Sequence, residues 1–212
     1  MAENVAREDP NDATSRVRIG TAGNKLGDIL RHRDLQAALL MYDVVARRLA
    51  EVRNDPKSRE DQAIALAGSS YALRGLHRTD EAKRRIDAAL AMLKGIKEYP
   101  AERIELDSPT YAASCALADY EAEVGDPQKA VQFYQQLLGE VMAGKPDFYA
   151  DLEDVTKLSR LYESLAALYR RTGETAKAES MKTRQLDLWR HWDQKLPNNA
   201  FVRRQIAALD TH

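Results

Sequence analysis

Cysteine, proline and glycine are scarce in this chain of 212 residues, which has 1 cysteine, 7 prolines and 10 glycines. The single Cys115 excludes an intramolecular disulfide framework. No segment alternates apolar and polar residues as a half-buried strand does, so we expect essentially no β-sheet. With 44% hydrophobic and 31% charged residues, the composition is typical of a helix-rich soluble protein.

Long apolar runs are also lacking. No run approaches the length that crosses a bilayer, and the first residues do not form a signal peptide, so we expect no membrane insertion of this segment. A cytoplasmic location is favoured by this expectation. A periplasmic location fits only if a parent chain carries a membrane segment.

Neither sign of charge dominates. The formal net charge is −1 and the isoelectric point is about 6.5. A protein that binds nucleic acid usually has a basic excess or a basic stripe, so we expect no nucleic-acid partner.

Motifs that carry chemistry are missing as well. No spacing of His, Cys, Asp or Glu matches a metal site such as H-E-x-x-H or C-x2-C, and no glycine-rich phosphate loop follows a strand. Cys115 falls within a predicted helix, where cysteine often serves as a small buried hydrophobe. We therefore expect no enzyme activity, no cofactor and no metal.

The most informative stretch runs from Tyr162 to Ala178. Its apolar positions are three or four residues apart and therefore share one helix face: Tyr162, Leu165, Ala166 and Tyr169. Gly173 interrupts the pattern at a position that suits a left-handed helix end, and Ala178 begins a second pattern. Small residues such as Ala166 and Ala178 let two helix backbones approach closely. The stretch predicts two helices joined by a tight turn.

These residues resemble the tetratricopeptide repeat, whose signature is W-x2-L-G-x2-Y, then A-x3-F, then P. Tyr162 takes the place of the Trp and Ala166 that of the Gly, whereas Lys182 replaces the usual Phe. Equivalent alanines are found at positions 38, 82, 130 and 178, at spacings of 44, 48 and 48 residues. The usual period is about 34, so the resemblance is to a variety with long helices of roughly 18–20 residues.

The resemblance implies an all-α, right-handed solenoid of about four helix pairs, formed as a single array over residues 1–212. The expected units are about 13–54, 57–98, 108–144 and 151–195, with a capping helix at 200–209. Ser108-Pro109 and Asp126-Pro127 predict helix starts, and His77 takes the place of a turn glycine. In the first helix we expect Val17, Ile19, Leu26, Ile29 and Leu30 to form the apolar stripe.

In this family the first helix of each pair lines a concave surface that binds peptides or helices of other proteins. The resemblance implies the following lining here: Asn24, Asp28, Arg31, Tyr71, Arg74, Asp119, Glu123, Arg160, Glu163 and Arg170. Arg and Tyr are common anchors of interfaces, although most surface charges only contact solvent. Trp189 and Trp192 are expected to pack under the last helix rather than to form a pocket.

The expected function is that of a non-catalytic scaffold that binds another protein or peptide. The resemblance extends to arrays attached to bacterial signalling proteins, including the C-terminal regions of serine/threonine kinases. Residues Val5 to Asp12 resemble the end of a repeat, so we expect the chain to derive from a longer polypeptide. The alternative function is a self-associating structural module that pairs through an apolar end near Val5 and Val17.

Overall fold

The chain is described by a computed structural model that covers residues 13–52 and 55–210. Within these residues every regular element is an α-helix, and no strand occurs. The expected all-α fold class is therefore confirmed. The solenoid arrangement stays a prediction, and the repeat-like segment 5–12 lies outside the described residues.

Nine helices occur in the described residues. In chain order they are α1 Ala13–Leu30, α2 Leu35–Ala50, α3 Pro56–Gly75, α4 Thr79–Gly95, α5 Pro109–Glu123, α6 Pro127–Ala143, α7 Leu152–Arg171, α8 Thr175–Lys195 and α9 Ala200–Asp210.

The chain forms two compact units. Among the described residues, unit 1 comprises 13–52, 55–102 and Asp107–Tyr120, and unit 2 comprises Arg103–Leu106 and 121–210. Unit 1 thus contains α1 to α4 and most of α5, whereas unit 2 contains the last turn of α5 and α6 to α9. The single array over 1–212 stays a prediction.

In unit 1, helix α1 contacts α2 and α3, α2 also contacts α3, and α3 contacts α4. Ala113 and Ala116 of α5 join the same buried core. Small residues allow this close packing, because a helix that presents alanine lets its neighbour approach the backbone. Ala38 and Ala82 are both fully buried.

Helix α1 faces its neighbours with glycines rather than with large apolar residues. A Cβ added at Gly20 would lie 2.8 Å from Leu49 Cδ1, and one at Gly23 would lie 2.4 Å from Val45 Cγ2. Leu26 and Ile29 point outward and are 42% and 57% exposed. These two residues of the expected apolar stripe therefore do not face the core, because the glycine face leaves no space for them against α2.

Tyr42 explains why glycines are needed. Its ring is buried, and a Cβ added at Gly27 of α1 or at Gly68 of α3 would lie 2.5 Å or 2.6 Å from Tyr42 Cε1. Ordinary contacts between carbon atoms are about 3.5–4.0 Å long, so either methyl group would overlap the ring. The backbones of α1 and α3 thus enclose one edge of Tyr42.

In unit 2, α7 contacts α6 and α8, and α8 contacts α9. Trp189 of α8 is buried, its ring meets Phe201 of α9 edge-on at 5.8 Å, and its Nε1 donates to Ser159 Oγ at 2.8 Å. Trp192 is buried too and donates from Nε1 to the Phe148 carbonyl at 3.1 Å. The predicted packing of Trp189 under the last helix is confirmed.

Local signals set the helix ends. Helices α5 and α6 begin at Pro109 and Pro127 as predicted. Proline suits the first turn, because the backbone N–H groups there have no acceptor within the helix and proline lacks this N–H. Ser108 Oγ accepts from the Tyr111 amide at 3.1 Å, and Asp126 Oδ1 accepts from the Gln128 amide at 2.8 Å.

Two turns between paired helices use left-handed backbone. Gly173, between α7 and α8, has φ +82°, and His77, between α3 and α4, has φ +60°. A residue with a Cβ adopts this conformation only at a cost. His77 thus takes the place of the turn glycine in the repeat and also adopts the left-handed conformation that Gly173 has in its own turn.

Candidate functional site

The ten candidate residues are divided between the two units. Asn24, Asp28, Arg31, Tyr71, Arg74 and Asp119 belong to unit 1, whereas Glu123, Arg160, Glu163 and Arg170 belong to unit 2.

Tyr71 is the centre of the unit 1 group. Its ring carries two guanidinium groups: Arg31 Cζ lies 4.8 Å and Arg74 Cζ 4.7 Å from the ring centroid. Arg31 follows the end of α1, and both Tyr71 and Arg74 lie in the last turns of α3. Each guanidinium over an aromatic face contributes about 0.5–1 kcal/mol at exposed sites and about 2 kcal/mol when desolvated.

Two carboxylates complete the group, one at the Tyr71 hydroxyl and one beside Arg31. The Tyr71 hydroxyl donates to Asp119 Oδ2 of α5 at 2.8 Å, and Arg31 Nε lies 3.8 Å from Asp28 Oδ1. We call the set formed by Asp28, Arg31, Tyr71, Arg74 and Asp119 the Tyr71 cluster. Side chains from α3, from α5 and from the turn after α1 therefore meet at one tyrosine, and Asp28 of α1 joins the cluster through Arg31.

The cluster is partly open to solvent. Arg74 is buried, Arg31, Tyr71 and Asp119 are half-buried, and Asp28 is exposed. Two guanidinium groups balance two carboxylates, so the cluster is neutral as a whole and offers both donors and acceptors. Partial desolvation strengthens such directed contacts relative to fully solvated charges. The charged side chains of the cluster can therefore bind polar groups of another chain, and the Tyr71 ring can pack against an apolar group of that chain. None of the five side chains is a Ser, Thr, Cys or Lys nucleophile.

Tyr42 supports the cluster from the core, which the sequence did not indicate. Its hydroxyl donates to Asp28 Oδ1 at 2.7 Å. The pKa of Tyr42 lies well above its ordinary value. Burial of the hydroxyl is the largest cause, and the negative charge of Asp28 and its hydrogen bond also raise this pKa. The hydroxyl therefore stays protonated and holds the Asp28 carboxylate in place.

Asn24 does not belong to the cluster. It is buried, and its Nδ2 donates to the Asp61 carbonyl oxygen of α3 at 2.9 Å. Its expected position on an open surface is therefore not what the structure shows. The reason is helical geometry: Asn24 lies three residues before Gly27 and four after Gly20, on the face that packs inward.

The remaining candidates are exposed. Arg160, Glu163 and Arg170 are exposed on α7, and Glu123 is exposed at the end of α5. Arg160, Glu163 and Arg170 are spaced three and seven residues apart and therefore share one face of α7. That face is a solvated row of mixed charge within unit 2.

Within residues 13–52 and 55–210 no three His, Cys, Asp or Glu side chains are placed to hold a metal ion. None of the helices described above is both long and apolar enough to cross a membrane.

Comparisons with known proteins support the fold but name no family. No protein-family model and no curated protein matches the chain. One solved structure that is similar to it is the crystal structure of BtubC (BKLC) from P. vanneervenii, with a TM-score of 0.53 and 15% sequence identity. The similarity covers 93% of this chain and 88% of that chain. At this identity the similarity concerns the fold alone.

Proposed function

We propose that the chain is a non-catalytic protein-interaction module of the tetratricopeptide type, and that a peptide or helix of another protein binds across the Tyr71 cluster. The observation that carries the proposal is the meeting of side chains from α3, α5 and the turn after α1 at one half-buried tyrosine. An isolated surface charge would support no such conclusion, because exposed ion pairs contribute little.

The composition of the cluster suits an interface. Tyrosine and arginine contribute much of the free energy of protein association, and they do so where surrounding residues exclude water. The Tyr71 ring holds both guanidinium groups in place before binding, so little side-chain entropy remains to be lost. A bound chain would gain hydrogen bonds to Arg31, which lies over the ring, and to Asp119, which lies at its hydroxyl.

A wider role follows from the family resemblance alone. The module would serve as a scaffold or regulatory region of a bacterial signalling protein, including one of the serine/threonine kinase type. The buried alanines at the expected repeat positions, Ala38, Ala82, Ala130 and Ala178, support the tetratricopeptide part of the proposal.

The test is selection of random linear peptides on the immobilised full chain, followed by affinity measurements. Arg31→Ala and Asp119→Ala should each weaken selected peptides about tenfold, which corresponds to about 1.4 kcal/mol. Arg84→Ala, at an exposed arginine of α4 in the same unit, is the matched control and should change nothing. Charge reversal at Arg160 and Arg170 tests the α7 row separately.

Two results would contradict the proposal. One is that no peptide family is enriched on the chain. The other is that the cluster variants lower the melting temperature but bind selected peptides as the wild type does, because the cluster would then only join helices.

A further inference from the structure

Helix α1 carries an apolar stripe on its outer side. The stripe consists of Ile19, Ala22, Leu26 and Ile29, spaced three, four and three residues apart, so that they share one helix face. Ala22, Leu26 and Ile29 are exposed and Ile19 is half-buried. Adjacent exposed apolar side chains of this kind commonly mark an interaction surface.

The stripe faces away from α3 and from the centre of unit 1. The Thr21 hydroxyl donates to Asp61 Oδ2 of α3 at 2.7 Å, which fixes the side of α1 that meets α3. At 3.6 residues per turn, Leu26 lies roughly 140° around the helix from Thr21. Residues of α3 therefore do not cover Leu26.

Helix α2 extends the same surface. Ala37, Met41 and Val44 are half-buried and spaced four and three residues apart. A Cβ at Gly23 would lie 3.7 Å from Met41 Sδ, which places Met41 at the line of contact between α1 and α2. Leu40 borders this row and is 64% exposed. We call the combined apolar surface of Ile19, Ala22, Leu26, Ile29, Ala37, Met41 and Val44 the α1–α2 face.

The exposed charges around this hairpin are mostly basic. Arg18 and Lys25 lie on α1 beside the stripe, Arg33 lies in the turn and Arg47 lies on α2, and all four are exposed. Such a border favours a partner of the opposite sign, since complementary charge speeds association and fixes orientation.

Three acidic groups of the hairpin have partners away from the α1 stripe. Asp28 accepts from the Tyr42 hydroxyl, and Asp34 Oδ1 accepts from the Ala37 amide at 3.0 Å. Asp43 Oδ1 lies 2.7 Å from Arg85 Nη2 of α4. Asp28 and Asp34 keep their negative charge, and Glu51 is exposed just after α2. The exposed basic side chains outnumber these three acidic groups: Arg18, Lys25, Arg33, Arg47 and Arg48.

We propose that the α1–α2 face binds an acidic amphipathic helix of another protein. The apolar side of that helix packs on Leu26 and Ile29, and its Asp and Glu side chains pair with Arg18, Lys25 and Arg47. Two helices at an angle form a groove that accepts the ridge of a third helix. A second copy of this chain fits less well, because it would bring one basic border near another.

The test uses a synthetic 16-residue helical peptide with leucines at positions three and four apart and glutamates on both flanks, measured by fluorescence anisotropy with the full chain. Control peptides replace the glutamates with lysines or scramble the order. The double variant Leu26→Ser/Ile29→Ser should weaken the glutamate peptide tenfold or more, since burial of one such side chain contributes about 1.5–3 kcal/mol. Both residues are exposed, so the variant should keep its helix content.

A matched control and a charge variant complete the design. Met142→Ser removes an apolar side chain that is 45% exposed in unit 2, and it should leave the affinity unchanged. Arg18→Glu/Lys25→Glu should weaken the glutamate peptide about tenfold at low salt and less at high salt.

Several outcomes overturn the proposal. They are no binding of the glutamate peptide, equal binding of the lysine or scrambled peptide, or equal affinity of the Leu26→Ser/Ile29→Ser variant. A dimer in light scattering that this variant abolishes also overturns it, because a second copy would then occupy the face. Loss of binding to the Tyr71 cluster would leave this result unaffected, since neither Leu26 nor Ile29 belongs to that cluster.

Discussion

Replacing Gly68 by alanine tests the packing of unit 1 most sharply. Helix propensity alone predicts that the change stabilises α3 by about 1 kcal/mol, because alanine is the better helix former. The structure predicts the opposite sign. The new Cβ would lie 2.6 Å from Tyr42 Cε1, 2.7 Å from Cζ and 3.0 Å from the hydroxyl oxygen.

The magnitude follows from the space around the Tyr42 ring. Contact distances of about 3.5–4.0 Å are normal, so the methyl group overlaps the ring by about 1 Å. The ring has little room to move, because the backbone of α1 at Gly27 approaches the same Cε1 atom. Overpacking typically costs about 1–3 kcal/mol, and in this enclosed site we expect a net loss of about 1–2 kcal/mol.

The assay is urea unfolding of the full chain followed by far-ultraviolet circular dichroism. Gly139→Ala, in α6, is the control, because nothing lies within 4 Å of the added methyl group. That variant should gain about 0.5–1 kcal/mol from helix propensity alone. In a Tyr42→Leu background the cost of Gly68→Ala should fall by about 1 kcal/mol or more, since the smaller side chain removes the overlap.

A stabilised Gly68→Ala variant would refute the reasoning. So would an equal effect of Gly68→Ala with Tyr42 and with Leu at that position, because the two sites would then not be coupled through contact.

Three further predictions each concern a single residue. Gly173→Ala should lower the free energy of unfolding by about 1–2 kcal/mol, because the residue has φ +82°, and equal melting temperatures for the two proteins would contradict this. Ser159→Ala should cost about 1–3 kcal/mol and shift tryptophan fluorescence, since it leaves the buried Trp189 Nε1 and Gln185 Nε2 without their acceptor. Tyr42 has a raised pKa in the folded state, so its contribution to stability is fully present below about pH 10, the unfolded value, and is lost above it. The Tyr42→Phe variant should therefore be less stable than the wild type at neutral pH but lose less stability above about pH 10. Urea unfolding midpoints of both proteins, measured at neutral pH and above about pH 10, check this.

Much of the helical framework follows from local sequence. Pro109 and Pro127 start helices because each follows a residue that caps the first turn. Gly173 ends α7 because a left-handed residue is needed there. These features depend on a few neighbouring residues, and short-range signals of this kind are visible without knowledge of the rest of the chain.

The inward face of α1 could not be predicted in the same way. Hydrophobic periodicity assumes that large apolar residues face the core, which assigns Leu26 and Ile29 to the inside. The actual inward face follows from the side chains of α2, because Tyr42, Val45 and Leu49 leave no space for a Cβ at the facing positions of α1. Those positions are Gly27, Gly23 and Gly20. Which side of α1 faces inward therefore depends on the side chains of α2 and cannot be predicted from α1 alone.

The candidate site also combines features that the sequence predicts with contacts between helices that it does not. The family resemblance implies a common surface for Arg31, Tyr71 and Asp119, and the structure joins these three in one cluster. Spacing did not predict that the Tyr71 hydroxyl would bond Asp119, which lies 48 residues away. Nor did it exclude Asn24, whose inward position depends on the rotation of α1.

The most direct measurement for the proposed function is a crystal structure of the chain with a peptide selected on it. The account predicts that the peptide lies over the Tyr71 ring and that its polar groups contact Arg31 or Asp119 within about 3 Å. A peptide seated elsewhere on unit 1, with the Tyr71 cluster still open to solvent, would contradict it.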